Sequence, residues 1–284
     1  MEVIQSISDL REKLKTHRNN GKSIGLVPTM GNLHQGHARL VESAAEENSL
    51  TVVTIFVNPL QFNPGEDFEN YPRTLNEDIE ILENLNCDYL FCPKNDEIIE
   101  GRLSDQALIK APQISKILCG KSRPGHFDGV ATIICVLFNI ICPTTAYFGL
   151  KDYQQYLIIK KLVSDFRIPV GIKGIETARD KNGLALSSRN VFLSSKELKI
   201  ASQLFFSINE ISNALHAGNK NFKILEDNAE RQLSKAGFLP DYCSICHANT
   251  LNPADSNDKD LVILVAAHLG SVRLIDNLRV FLNH

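Results

Sequence analysis

This chain of 284 residues has no tryptophan and no apolar run of the ~20 residues that a membrane-spanning helix needs. Its longest apolar stretches, residues 51–57 and 130–142, fall short of that length. The N-terminal Met1-Glu2-Val3-Ile4-Gln5-Ser6 has no basic stretch followed by an apolar one, so no export signal is read. Charge of one sign is nearly cancelled: 30 Lys+Arg stand against 33 Asp+Glu, a formal net charge of −3. That balance gives no electrostatic ground for nucleic acid or a membrane as partner. The seven cysteines are too sparse for a disulfide scaffold, so reduced thiols and a cytoplasmic location are expected. Several ligand motifs are missing as well. No G-x-G-x-x-G follows a strand, and H-E-x-x-H and G-x-S-x-G do not occur. Gly21-Lys22-Ser23 and Gly120-Lys121-Ser122 echo the end of a phosphate-binding loop, but Thr16 and Ser115 stand where its first glycine belongs.

What is present is a 43% hydrophobic share, enough for a sizeable core, and a length that suggests two domains at roughly 150 residues each. Residues 1–182 alternate between short apolar strands and amphipathic helices. Strands are expected at 23–27, 50–57, 89–92, 145–148 and 170–176. Helices are expected from about 8 to a stop at Gly21, and at 35–47, 74–86, 129–141 and 153–165. Strands separated by helices of this length imply parallel pairing through right-handed crossovers, an α/β Rossmann-like sheet. Residues 183–284 read differently: helices at 194–217 and 222–236, then strands at 241–248, 261–268 and 272–276. That order predicts a smaller α+β domain, with the boundary in 179–183.

In an open parallel sheet, ligands bind beyond the carboxyl ends of the strands. The loops expected there carry the unusual residues. After the first strand comes Pro28-Thr29-Met30-Gly31-Asn32-Leu33-His34-Gln35-Gly36-His37. Its two histidines lie three apart at the start of a helix, on neighbouring positions of one face. The unpaired N–H groups of that first turn favour an anion, so the pair suits phosphate. Asn58 and Gln61 follow the second strand, and Lys151 and Asp152 follow the fourth, with Gln155 close behind. Ser187-Ser188-Arg189 ends the loop after the fifth and offers two hydroxyls and a forked guanidinium. The two glutamines can each donate and accept, which suits a hydroxylated carboxylic acid. One further pattern, Cys243-Ser244-Ile245-Cys246-His247, has the spacing of covalent haem attachment, but it falls on an expected strand of a chain with no export signal.

Together these segments resemble the pantoate–β-alanine ligase family. The likeness rests on residues 28–37 and on Phe56-Val57-Asn58-Pro59-Leu60-Gln61-Phe62, Tyr71-Pro72-Arg73-Thr74 and Arg123-Pro124-Gly125-His126-Phe127-Asp128-Gly129-Val130. It extends through residues 148–155 and 183–190 to Arg273-Leu274-Ile275-Asp276-Asn277, in order along nearly the whole chain. The resemblance implies an ATP-dependent ligase that activates (R)-pantoate as an adenylate and passes it to β-alanine. It also implies Mg²⁺ with the ATP, a C-terminal lid and a homodimer; no metal ligands are assigned. Carried over by position, Met30, Gly31, Asn32, Leu33, His34, Gln35, Gly36 and His37 would line the ATP site, with His37, His34 and Lys151 catalytic and His37 at the position usually assigned as proton donor. Cationic His37, Lys151 and Arg189 would offset charge on departing pyrophosphate. Gly149, Leu150, Lys151, Asp152, Ala178, Leu186, Ser187, Ser188 and Arg189 would complete the nucleotide pocket. Gln61 and Gln155 would hold pantoate, with Asn58, Tyr71, Arg123 and His126 near the substrates. Val136, Glu176 and Asn182 depart from the usual family residues. The alternative is a related nucleotidyltransferase acting on another substrate.

Overall fold

A computed structural model describes residues 1–282. The chain runs through β1 (Glu2–Ile4), α1 (Ile7–Asn19), β2 (Ile24–Thr29), α2 (Gln35–Glu47), β3 (Leu50–Ile55), α3 (Leu75–Asn84) and β4 (Tyr89–Phe91). Short α4 (Asn95–Ile98) and α5 (Cys119–Ser122) precede α6 (His126–Ile141), β5 (Thr145–Gly149), α7 (Tyr153–Asp165) and β6 (Gly171–Ile175). Then come α8 (Ser195–Ala201), α9 (Gln203–His216), α10 (Phe222–Lys235), β7 (Leu239–His247), β8 (Asp260–Leu269) and β9 (Val272–Phe281). Two compact units divide these elements. The first holds Met1–Leu150 and Gln155–Glu176; the second holds Lys151–Gln154 and the chain from Thr177 onward.

The first unit is a six-stranded sheet in the order β1-β4-β3-β2-β5-β6, every pair parallel. Successive side chains on each strand alternate between two covered faces. Leu26, Val52, Phe91 and Phe148 share a core with Leu10 and Leu14 of α1 and Leu137 of α6. Val27, Val53, Leu90 and Tyr147 share the other with Val41 and Ala44 of α2 and Leu82 of α3. Coverage on both faces is why these strands read as unbroken apolar runs. The strand order reverses at β2, with β3 on one side and β5 on the other, so the crevice beyond their carboxyl ends is the topological switch point.

The second unit packs α9 and α10 on an antiparallel sheet, β7-β8-β9. Leu204, Ile208, Ile211 and Leu215 of α9 and Leu233 of α10 meet Ile245, Ile263, Val265 and Leu274 from the sheet. The outer edge of β7 is closed by side chains and by the following turn. Cys243 N donates to Glu230 Oε1 at 2.9 Å, Ile245 N to Glu226 Oε1 at 2.8 Å, and His247 N to the Asn252 carbonyl at 2.9 Å. Ala254 N donates back to the Ile245 carbonyl at 3.0 Å.

Four sequence expectations need correction. β1 was not anticipated. The helix expected at 129–141 starts at His126, after Gly125 at φ 82°. The helix expected over 194–217 is two, α8 and α9, separated at Ser202. The last strand continues through Phe281 rather than ending at Asp276.

Candidate functional site

The loop between β2 and α2 is built on two consecutive left-handed residues, Gly31 at φ 82° and Asn32 at φ 51°. A Cβ on Gly31 would lie 3.0 Å from Asp78 Oδ2, so the position needs glycine for space as well as conformation. The turn aims the N–H groups of Asn32 and Leu33 at Asp78, 3.0 Å to Oδ2 and 2.7 Å to Oδ1. Thr74 adds a hydroxyl to the same carboxylate at 3.3 Å. Burial pushes the Asp78 carboxyl above its ordinary value, and these hydrogen bonds oppose that shift. Asp78 was missed in sequence because it lies in the acidic run of α3. Its one sequence signal is the i, i+4 relation to buried Leu82, which places a carboxylate on the apolar stripe.

His34 caps α2. Its Nδ1 accepts Gly36 N at 3.0 Å, while His37 Nδ1 accepts His34 N at 3.3 Å, a reciprocal capping box. Each ring therefore presents its lone pair at Nδ1, which leaves Nε2 as the donor atom. The two rings pack at a tilt with centroids 4.1 Å apart at the N-terminal end of α2. The backbone N–H groups of Asn32, Leu33 and Gly36 are used on Asp78 and His34, so these three are not the anion donors of the loop.

In the loop after β3, Gln61 is fixed at both ends. Its carbonyl accepts His126 Nδ1 at 2.7 Å and Arg123 Nη2 at 3.3 Å. Arg123 Nη1 lies 3.0 Å from His126 Nε2, and the guanidinium can only donate, so that nitrogen accepts and Nδ1 carries the proton. The side-chain Oε1 accepts Asn58 Nδ2 at 3.0 Å, which turns Nε2 toward Met30 Sδ at 3.1 Å. A thioether is a weak acceptor, so this donor can exchange it for a substrate oxygen at little cost. Gly129 of α6 makes the approach possible, because a Cβ there would overlap the Leu60 carbonyl.

Glu66, a second residue that sequence reasoning missed, grips Arg123 at 2.8 Å to Nε and 2.5 Å to Nη2. Burial raises its carboxyl, but the hydrogen bonds and charge of Arg123, with the Asn63 backbone and His126, together outweigh that and hold it below its ordinary 4.5. A lowered acid stabilises the fold above its unfolded value and loses that contribution as pH falls through the folded one. Glu66→Gln is therefore expected to lower the melting temperature above pH 4.5 and to match the parent under stronger acid. A melting series across pH checks this; a deficit that persists at low pH contradicts it.

In the second unit, Lys151 Nζ lies 3.5 Å from Asp152 Oδ2. Leu186 N donates to the Ala178 carbonyl at 2.9 Å, closing a small hairpin. Ser187 Oγ then caps the helical turn Ser188–Phe192 by accepting Arg189 N at 3.3 Å, with Ser188 buried. Among the remaining expected residues, Gly149 ends β5, Leu150 follows it, and Gln155 is half-buried on α7. Tyr71 is buried with its ring edge-on to Phe62, centroids 5.9 Å apart. Cys243 and Cys246 are buried on β7, three residues apart and hence on opposite faces, so they cannot both reach one haem. Burial pushes both thiols up, Cys246 to about 12. Among the described residues, no three His, Cys, Asp or Glu are grouped to hold a metal.

The sequence profile of the pantoate-beta-alanine ligase family matches residues 2–279. Pantothenate synthetase of Ectopseudomonas mendocina (strain ymp) is 48% identical over 280 residues, 99% of this chain and 98% of that protein. The crystal structure of pantothenate synthetase from Thermus thermophilus superposes with a TM-score of 0.93 at 38% identity, covering 99% of this chain and 100% of that one. The pantoate-beta-alanine ligase of Francisella tularensis, solved in complex with beta-gamma ATP and beta-alanine, gives 0.82 at 36% identity, over 98% and 97%.

Proposed function

The chain belongs to the pantoate–β-alanine ligase family, enzymes that join pantoate to β-alanine with ATP, and we propose that it does so through an enzyme-bound pantoyl adenylate. The extent of the match, residues 2–279 with near-complete coverage of its relatives, carries the reading. In the first step a pantoate carboxylate oxygen bonds to the α-phosphorus and the bond to the β-phosphate oxygen breaks. No proton need move, so what the site must supply is placement and stabilisation of charge on departing pyrophosphate. The Nε2–H groups of His34 and His37 are the donors assigned to the phosphates on the side of β2. Lys151 and Arg189 are the cations, and Met30, Gly31 and Ala178 border the nucleotide.

Gln61 Nε2 and Gln155 are proposed to hold pantoate. The β-alanine amine then attacks the acyl carbon, AMP leaves, and the amine gives up its proton. Mg²⁺ is assigned to the ATP phosphates, with no protein ligand named. When bound it neutralises phosphate charge. A homodimer is proposed from the family resemblance. No helix among the described residues is long and apolar enough to cross a membrane. The seven free thiols support a cytoplasmic location.

Isotope exchange between pyrophosphate and ATP tests the first step. It is expected to require pantoate and to proceed without β-alanine, and ¹⁸O in the pantoate carboxylate is expected to appear in AMP. Exchange that is absent, or independent of pantoate, overturns the adenylate.

A further inference from the structure

The segment Arg273-Leu274-Ile275-Asp276-Asn277 belongs to the family resemblance, yet the proposed reaction gives it no part. Its last two residues are polar and buried on β9, where they pair with Val265 and Leu264 of β8. Asp276 receives a two-pronged contact from Arg179, 2.5 Å from Nη1 to Oδ2 and 2.8 Å from Nη2 to Oδ1. The same guanidinium donates to the Gly183 carbonyl at 3.1 Å and the Asn277 carbonyl at 3.3 Å, and lies 3.8 Å over the Phe205 ring. Arg179 is itself bridged to Ala185, so it staples the hairpin that leads into Leu186-Ser187-Ser188-Arg189. Asn277 Nδ2 donates to the Lys151 carbonyl at 2.8 Å. One dipeptide thus grips the backbone of Lys151 and the root of the Arg189 loop, two segments far apart in sequence.

We propose that Asp276 and Asn277 are positioning residues for the phosphate contacts, Asp276 acting through Arg179 on the 186–189 segment and Asn277 acting on Lys151. The inference rests on the reading that Lys151 and Arg189 meet ATP. Its physical basis is that lysine has four rotatable side-chain bonds and sits at a loop, whereas β9 is anchored along its length by β8. Tying the Lys151 carbonyl to that strand fixes where the ammonium starts from. Displacement by about 1 Å is enough to cost a large factor in rate. Asparagine suits the position because its Nδ2 donates; a carboxylate there would face the Lys151 carbonyl oxygen with no hydrogen to share.

The test compares Asn277→Leu, which removes the donor at similar volume, with Lys151→Ala and the double variant. Pantoate-dependent pyrophosphate–ATP exchange and thermal melting are the readouts. Asn277→Leu is expected to lower the exchange kcat about tenfold and to raise the KM for ATP. The KM for pantoate and the melting temperature should stay near those of the parent. Adding it to Lys151→Ala should have no further effect, because both act through one side chain. If Asn277→Leu does not fold, Asn277→Ser carries the same comparison. Lys151→Ala with normal exchange would refute the ATP reading of Lys151. Lys151→Ala inactive beside Asn277 variants with parental kcat and ATP KM, or losses that simply multiply in the double variant, would refute the positioning role.

Discussion

His37→Ala is expected to slow adenylate formation by at least about 10²-fold, the scale of removing one preorganised donor aimed at developing charge. The fold should persist, because the lost capping contact is worth only about 1 kcal/mol. The informative comparison is His37→Gln. Its amide nitrogen reaches close to the imidazole Nε2 and can donate, but it cannot release a proton to a leaving group. With Nδ1 accepting His34 N at 3.3 Å, Nε2 is the ring atom left to donate, so glutamine, which also donates, should recover a measurable part of the lost rate. ¹⁵N shifts of the two rings should report the Nε2–H form. Single-turnover adenylation measures the rates. Glutamine no better than alanine, with a protonated ring in the free enzyme, would instead assign His37 a proton-donor role.

Arg179→Ala should have the largest effect on stability. Asp276 has a side chain only 2% exposed, and losing the guanidinium leaves its charge buried without its hydrogen-bonded cation, with only the more distant Lys151 ammonium to offset it. Stranding one member of a buried pair costs on the order of 3 kcal/mol. The Asn277 N–H, 2.7 Å from Asp276 Oδ1, offsets part of this. Urea unfolding should show the loss in the transition that reports the second unit. Replacing Asp276 as well should cost less than the sum of the two single changes. Additive losses would show that the pair contributes nothing as a pair.

These two sites also mark where sequence reading succeeds and stops. The parallel strands were legible because both faces are covered, so β2, β3 and β5 appear as apolar runs bounded by turn residues. β1 was not, since three residues with exposed Glu2 and Val3 carry no period. β9 was cut short at Asp276 because Asp-Asn reads as a turn, and the partners that make it strand, Arg179 and the Lys151 carbonyl, lie about a hundred residues or more away. The site loops were legible from residue type, as His34, His37, Gln61 and Lys151 stand at expected strand ends. Their hydrogen-bond roles were not. Which nitrogen of His37 meets a backbone N–H is set by the turn geometry. Asp78 and Glu66 escaped for the same reason, looking like any acidic surface until their partners are in place.

The closed edge of β7 has a consequence for the molecule's life among its own copies. A bare strand edge invites annealing by another chain, and crowding or slow folding multiplies the chances. Here Glu230, Glu226 and the turn through Asn252 and Ala254 occupy the groups that an incoming strand would need. The carboxylates also add local negative charge, which repels a second identical edge. The second unit therefore carries its own guard against fibre-like stacking on that side, written in helix α10 and the turn after β7 rather than in the strand they protect.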